Sequence, residues 1–470
     1  MIIFILNNQL IKTDAPSGMS LLNFIRNEAH LKGTKSGCKE GDCGACTVLE
    51  GTLKEHRVAY KTIVSCLTPL GNAHGKHIVT LEGLNTKELT PVQKAITDHA
   101  ATQCGFCTPG FVVSLTGFSL SNRPPQPANI LASVAGNICR CTGYKSIEKA
   151  ALSLTNILRD RNDQEPLNWL IEKGFIRSYF KTIPGRLKQI PSLTENRSQP
   201  DLVVGGGTDL MVQKPETVKV SALKLTLHDT TLHTIREENN KLILGGAVTV
   251  NDLLHSTLFC NIFPKAEQWF KLISSEQIRN TATLAGNLVN ASPIGDMSIF
   301  LLAMNAVVHL SAPSGEKRTF PLKEFFTGYK QLSKHDDEII TAIVLDKPDE
   351  NVKMNFEKVS KRIHLDIASV NSAVSVRVQN NTIQHLYLTA GGIGPVPMLL
   401  TETSAFLTGK PLSAETLEQG VKVMLDETSP ISDIRGSTRY KKLLLRQLFY
   451  AHFLKLFPET LKFEELLTVS

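Results

Sequence analysis

Eight of the nine cysteines in this 470-residue chain lie at or before residue 141, and no other feature restricts its folding so tightly. The first set is Cys38, Cys43 and Cys46 in the stretch SGCKEGDCGACTV, followed by Cys66 after nineteen intervening residues. The second is Cys104 and Cys107 in QCGFCTPG, with Cys139 and Cys141 in CRCTG. Cys260, in STLFCNIF, stands apart and reads as a core residue. Cysteines used merely as small buried side chains would not be so segregated. Two groups of four imply two places where the backbone must bend to bring sulfurs together.

The setting decides what such groups do. The N-terminus MIIFILNNQLIKTDAPSG has neither the basic n-region nor the apolar stretch of a signal peptide. No window approaches 18 consecutive apolar residues, so the expectation is a cytoplasmic protein without a membrane span. There, clustered cysteines are more often metal or redox groups than disulfides. A C-x4-C-x2-C loop with a distant fourth cysteine is the spacing of a plant-type 2Fe–2S cluster, whereas zinc prefers paired hooks. Gly37, Gly41 and Gly44 permit tight or positive-φ turns and let N–H groups approach the sulfurs. For the second set, spacing leaves a zinc site and a thioredoxin-like motif open beside a second 2Fe–2S cluster. Its position at helix starts favours the cluster, because helix N-termini present positive dipole ends to an anion.

The length suggests three or four domains. With 51 basic and 44 acidic residues the net charge of +7 is a weak excess, and no basic run interleaves with aromatics, so nucleic acid is not an expected partner. IIFILNNQLI predicts a hairpin turning at Asn7-Asn8, MSLLNFIRNEA one helix capped by Ser20, and HIVTLEGL a closing strand. TPVQKAITDHA, TPGFVVSLTGFSL, ANILASVAGN and YKSIEKAALSLTNILRD predict four helices, the first two starting at Thr-Pro. Polar RDRNDQEP reads as the start of a linker, after which strands and helices mix to the C-terminus. In DLVVGGGTDLMV a short strand, a triple-glycine turn and a helix start would let a pyrophosphate sit against backbone, although a purely structural turn is the alternative. No Ser-His-Asp set or H-E-x-x-H helix is found, and no residue is assigned as catalytic.

Together, GCKEGDCGACTV, QCGFCTPG and GNICRCTGY resemble the two iron–sulfur domains of the molybdenum hydroxylases, a family that includes xanthine dehydrogenases, aldehyde oxidoreductases and carbon monoxide dehydrogenases. VVGGGTDLMV, TLAGNLVNASPIGD and KVSKRIHLDIASV are similar to that family's FAD domain. The resemblance implies a multidomain α+β fold: an N-terminal β-grasp ferredoxin-like domain (1–82), a four-helix 2Fe–2S domain (83–160), a linker (161–177), a two-part α+β FAD-binding domain (178–353) and a C-terminal α/β flavoprotein domain (354–470). Both iron–sulfur domains and an FAD domain in one chain, without a molybdenum domain, fit best the small subunit of the bacterial xanthine dehydrogenase branch. That implies a large partner subunit carrying molybdopterin, an (αβ)2 heterotetramer, and electron flow through two 2Fe–2S clusters to FAD and then NAD+. A non-catalytic iron–sulfur sensor or scaffold would have lost a cysteine or the flavin segments, and all are present.

By the same resemblance, Cys38, Cys43, Cys46 and Cys66 hold one cluster and Cys104, Cys107, Cys139 and Cys141 the other. Val203, Val204, Gly205, Gly206, Gly207, Thr208, Asp209 and Leu210 would cradle the FAD pyrophosphate. Thr283, Leu284, Ala285, Gly286 and Asn287 would make a second phosphate contact, and Asp296 would hold the ribityl chain. Ile273 falls near the adenine, where it can pack but not stack; Ile340 falls by the isoalloxazine, with an ordinary core role equally open. Lys358 is implied near the flavin, with Lys361, Arg362 and Asp366 on the approach of a nicotinamide; a solvated charge run is the alternative. Ile363 and Leu365 stand where relatives commonly carry polar residues.

Overall fold

Ile2–Leu6, buried throughout, pairs antiparallel with the exposed Gln9–Thr13 across the expected turn, where Asn7 takes a φ of 54°. This computed structural model describes residues 1–162, 166–193, 200–362 and 365–467; Ile363 lies outside them. The hairpin is one edge of a five-stranded sheet ordered Gln9–Thr13, Ile2–Leu6, His77–Val79, Thr47–Lys54, Arg57–Val64. The strand expected over HIVTLEGL stops at Val79, because the Asn7 side chain accepts the Thr80 N–H (2.9 Å) and Leu81–Leu84 coil into a helical turn. Ser20 caps as expected, but the helix after it is α only over Leu21–Asn23 and widens into a π turn over Phe24–Glu28. The wider turn directs Leu21, Leu22, Phe24 and Ile25 all into buried positions.

The four expected helices form: Pro91–Asp98, Thr108–Leu120, Pro127–Ser133 and Lys145–Leu158. Thr90 and Gln93 make a full capping box at the first. The second starts one residue early: Cys107 is its N-cap, and Thr108 is helical, its hydroxyl bonded to Thr102 (2.7 Å). Proline lacks an N–H that no first-turn position uses, so Pro109 fits either register. This helix is buried on every side from Pro109 to Ser119, and Gly117 lies close against Leu49 and Thr62 of the sheet. The stretch read as a linker is not an open connection. It contains the helix Pro166–Glu172, and Leu170, Phe175 and Ile176 are buried in the same core as the four helices.

Residues 1–228 with 274–282 make one compact unit, and 229–273 with 283–470 the other. The second unit has two sheets. One is antiparallel, ordered Lys317–Pro321, Val307–Ser311, Ile339–Asp346, Lys241–Gly245, Ile235–Glu238. The other is ordered Val352–Val359, Val370–Gln379, Thr382–Gly391, Met398–Leu399, and packs against the helix Thr438–Leu456. Cys260 is half-buried, not a full core residue; its thiol donates to the Leu254 carbonyl (3.3 Å) while Phe259 beside it fills the core. Among the described residues, no helix is long and apolar enough to cross a membrane.

Candidate electron-transfer site

In the first set, Cys46 and Cys66 are buried (2% and 6% exposed) while Cys38 and Cys43 are half-buried. The loop curls so that Cys43 Sγ accepts the Cys38 N–H and Cys38 Sγ the Glu40 N–H, both at 3.4 Å. A Cβ at Gly37 would stand 2.7 Å from Cys43 Sγ, and Gly41 and Gly44 adopt φ of 80° and 64°. The sulfurs act in pairs. The bond with Cys43 brings the Cys38 pKa down to about 5, and the bond with Cys66 lowers that of Cys46. The same bonds raise the pKa of Cys43 and Cys66.

The second set repeats the pattern at the surface. Cys104 and Cys141 are exposed and hydrogen-bonded to each other, which raises the Cys141 pKa. Burial, with the bond to Cys139, pushes Cys107 up to about 12. Burial opposes ionisation of Cys139, but the Thr142 hydroxyl (3.2 Å) and nearby N–H groups outweigh it and lower its pKa. Among the described residues, no three His, Cys, Asp or Glu side chains gather as ligands of a single ion. A zinc ion draws three or four ligands to one point, whereas a binuclear cluster takes its thiolates two to each iron. The pairs Cys38/Cys43, Cys46/Cys66, Cys104/Cys141 and Cys107/Cys139 suit the second demand.

The two sets meet through backbone. The Cys43 carbonyl accepts the N–H of Ile138 (3.0 Å), the residue before Cys139. A Cβ at Gly110, in the helix that Cys107 begins, would come within 2.3 Å of the Gly44 carbonyl oxygen. The cysteine loops are therefore packed backbone to backbone.

The segments read as flavin-binding fall in both units. In the first, Leu202–Val204 pairs parallel with Leu223–Leu225, and the chain then turns through Gly205–Asp209 into the short helix Leu210–Gln213. Among the described residues, the N–H groups of Gly206, Gly207, Thr208 and Asp209 have no protein acceptor. Gly207 takes the left-handed φ of 81° that backbone anion nests use, so these donors are available to an anionic ligand. Packing also demands these glycines: a Cβ would lie 1.9 Å from the Thr281 carbonyl oxygen at Gly206 and 2.7 Å from that of Leu67 at Gly207.

In the second unit, Thr283 caps the helix Leu284–Asn290 by accepting the Gly286 N–H (3.0 Å), and Asn287 accepts from Ser298 N–H and Oγ (3.1 Å each). Leu284, Ile273 and Ile340 are buried in one core, and Ala285 contacts the same edge as Gly246 and Ile340. Asp296 starts the helix Asp296–Ala303 and pairs with Lys358 Nζ (2.8 Å) and Asn371 Nδ2 (2.6 Å); Lys358 also donates to the Leu272 carbonyl (2.9 Å). Lys358 is thus a buried ion-pair member, not part of a solvated run. Lys361 and Arg362 are exposed; Arg362 N–H and guanidinium turn to Asp366, and Leu365 is buried at φ 58°.

Four family profiles match in order: "2Fe-2S iron-sulfur cluster binding domain" over 4–71, "[2Fe-2S] binding domain" over 80–152, "FAD binding domain in molybdopterin dehydrogenase" over 176–348 and "CO dehydrogenase flavoprotein C-terminal domain" over 356–456. This set of domains fits a 2Fe–2S/FAD subunit of the molybdenum hydroxylase family. Curated relatives include xanthine dehydrogenase 1 of Arabidopsis thaliana, 28% identical over 94% of this chain, and the xanthine dehydrogenase/oxidase of Gallus gallus, 25% identical over 97%. This chain spans 38% and 40% of their lengths. Among solved structures, carbon monoxide dehydrogenase from Hydrogenophaga pseudoflava matches with a TM-score of 0.51 at 23% identity, over 55% of this chain and 90% of that one. Quinoline 2-oxidoreductase from Pseudomonas putida 86 matches at 0.50 and 19%, over 54% and 88%. These likenesses are of fold.

The sequence reading missed the polar residues around the cysteines. Tyr144, at φ 69°, accepts the Cys139 N–H on its hydroxyl (3.2 Å), and Thr142 bonds the Cys139 sulfur. Asn137 donates to the Gly44 carbonyl (3.0 Å), and Asn371 was hidden in a β-branched run. An asparagine among the small and β-branched residues at the start of that strand was the available signal for the last.

Proposed function

We propose that this chain is the electron-transfer arm of a xanthine dehydrogenase, serving a molybdopterin centre on a partner subunit that oxidises hypoxanthine or xanthine to urate. When bound, the two 2Fe–2S clusters and FAD supply one-electron carriage and, at the flavin, hydride transfer to NAD+. The observation that carries this reading is the Cys43–Ile138 hydrogen bond, a covalent and hydrogen-bonded path from one four-cysteine set to the other. The exposed sulfurs of Cys104 and Cys141 favour the helical domain as the entry face for a partner, and the buried Cys46 and Cys66 lie farther from solvent.

Within this proposal the eight cysteines act as ligands, and N–H groups at Cys38 and Glu40 compensate sulfur charge. The N–H groups of Gly206–Asp209 take the FAD pyrophosphate, with Val203, Val204, Gly205 and Leu210 shaping the flanks. In the second unit, Thr283–Asn287, Asp296, Ile273, Ile340 and Lys358 are the residues that the family resemblance assigns to flavin. The choice of purine rests on the curated relatives, which are xanthine dehydrogenases.

The test is reconstitution. The chain alone reduces an artificial electron acceptor with NADH and leaves xanthine untouched; with its molybdenum subunit it forms urate from xanthine and reduces NAD+. A complete complex that turns over an aldehyde or an N-heterocycle but not xanthine overturns the purine assignment. Failure of NADH to reduce a fully loaded chain overturns the acceptor.

A further inference from the structure

A buried polar network ties the two cysteine loops to a helix that carries no cysteine. Gln277, in the helix Glu276–Arg279, and Ser114 are 0% exposed, and Asn137 is 4% exposed. Gln277 Nε2 donates to Ser114 Oγ and to Asn137 Oδ1, each at 3.2 Å, and Ser114 Oγ donates to Asn137 Oδ1 at 2.8 Å. Two donors on its oxygen leave the Asn137 amide one orientation, with Nδ2 donating to the Gly44 carbonyl at 3.0 Å. Gly44 follows Cys43, and Asn137 precedes Ile138, whose N–H meets the Cys43 carbonyl.

The surroundings are shaped to this network. A Cβ at Gly44 would fall 2.6 Å from Asn137 Nδ2, and one at Gly136 2.1 Å from Gln277 Oε1. The short helix is fixed from outside by Arg123, which grips Glu276 with two bonds (2.8 and 2.9 Å), and by Asn280 Nδ2 donating to the Thr62 carbonyl (2.8 Å). Gln277 Oε1 itself is buried and has no hydrogen-bond partner among the described residues. A buried acceptor left unmatched costs stability, so an unbranched apolar side chain of similar length would serve the fold at least as well. What the amide provides is orientation.

We infer that Gln277 is a positioning residue for electron passage between the two cysteine sets: by fixing the Asn137 amide it sets how the Cys43–Gly44 backbone approaches Ile138–Cys139. The inference rests on the two-cluster reading above. Groups beyond the ligands orient them and tune the metals they hold. Releasing Asn137 loosens the first loop, weakens N–H donation to its sulfurs and disfavours the more negative, reduced state.

The experiment is anaerobic EPR potentiometry on the full, cluster-loaded chain, comparing parent with Gln277→Met. The variant keeps the parent's iron content and both spin signals. At a fixed potential, the reduced-to-oxidised ratio of the ferredoxin-type cluster falls about fivefold, the scale of one hydrogen bond lost. Magnetic interaction between the two signals weakens. Ser114→Ala, which removes one donor to Asn137 from a different helix, moves both readouts the same way and decides the matter if Gln277→Met does not fold. Parent-like potentials and parent-like magnetic interaction overturn the inference. A parent without two spin signals instead overturns the two-cluster reading, and this inference with it.

Discussion

At Lys358 one methylene chain carries its ammonium into a nearly closed site: the side chain is 2% exposed and its Asp296 partner 12%. Removing one member of such a pair leaves the other's charge uncompensated. Lys358→Met should therefore destabilise the protein by about 3 kcal/mol and release flavin, measured by thermal melting and the flavin-to-protein ratio. The double variant Lys358→Met/Asp296→Asn should regain most of the stability and none of the flavin. Recovery of both would make the pair purely structural. Gly206→Ala, which drives a Cβ against the Thr281 carbonyl, should cost about 1–3 kcal/mol whether or not flavin is bound. At this scale the cysteines were legible because ligand chemistry is written into short spacings. The Asp296–Lys358–Asn371 grouping was only half legible, because its members are 62 and 75 residues apart and only folding brings them together.

Helices were easiest to read where a cap announced them. Thr90 caps at the expected Thr-Pro start, and the structure adds Gln93 to make a capping box, so Thr90→Ala should cost about 1 kcal/mol in denaturant unfolding with no change in either cysteine set. The residues 161–177 were misread because their polarity at the start says nothing about Leu170, Phe175 and Ile176 packing further on. The helix Thr438–Leu456 gives a pH-dependent element. His452 is buried between Asn355 Nδ2 (3.0 Å) and Ser372 Oγ (3.0 Å), and burial, then the nearby Lys455, holds its pKa down at about 3. The unfolded chain titrates near 6.5 and so binds the proton more readily than the folded one. Stability is then full above that pH and declines as pH falls toward 3. His452→Met should flatten this acid limb of the denaturant midpoint; an unchanged limb would assign it to other groups.

Across the whole molecule, eight cysteines occupy the first unit alone, and the described residues of the second carry the buried Asp296–Lys358–Asn371 group. The order of the domains was legible because each has its own motif. The unit boundary was not: residues 274–282 fold with the first unit although they sit, in sequence, between Ile273 and Thr283 of the second. Side-chain bonds such as Asn280 to the Thr62 carbonyl hold that excursion, and no periodicity betrays them.

The central claim is that both cysteine sets hold binuclear iron clusters in a chain that also binds flavin. Metal and flavin content, with EPR after dithionite reduction of anaerobically purified full chain, tests it most directly. The expected result is about four irons and one FAD per chain, no zinc, and two distinct spin signals. Zinc at Cys104, Cys107, Cys139 and Cys141, or a well-folded protein without flavin, would contradict it.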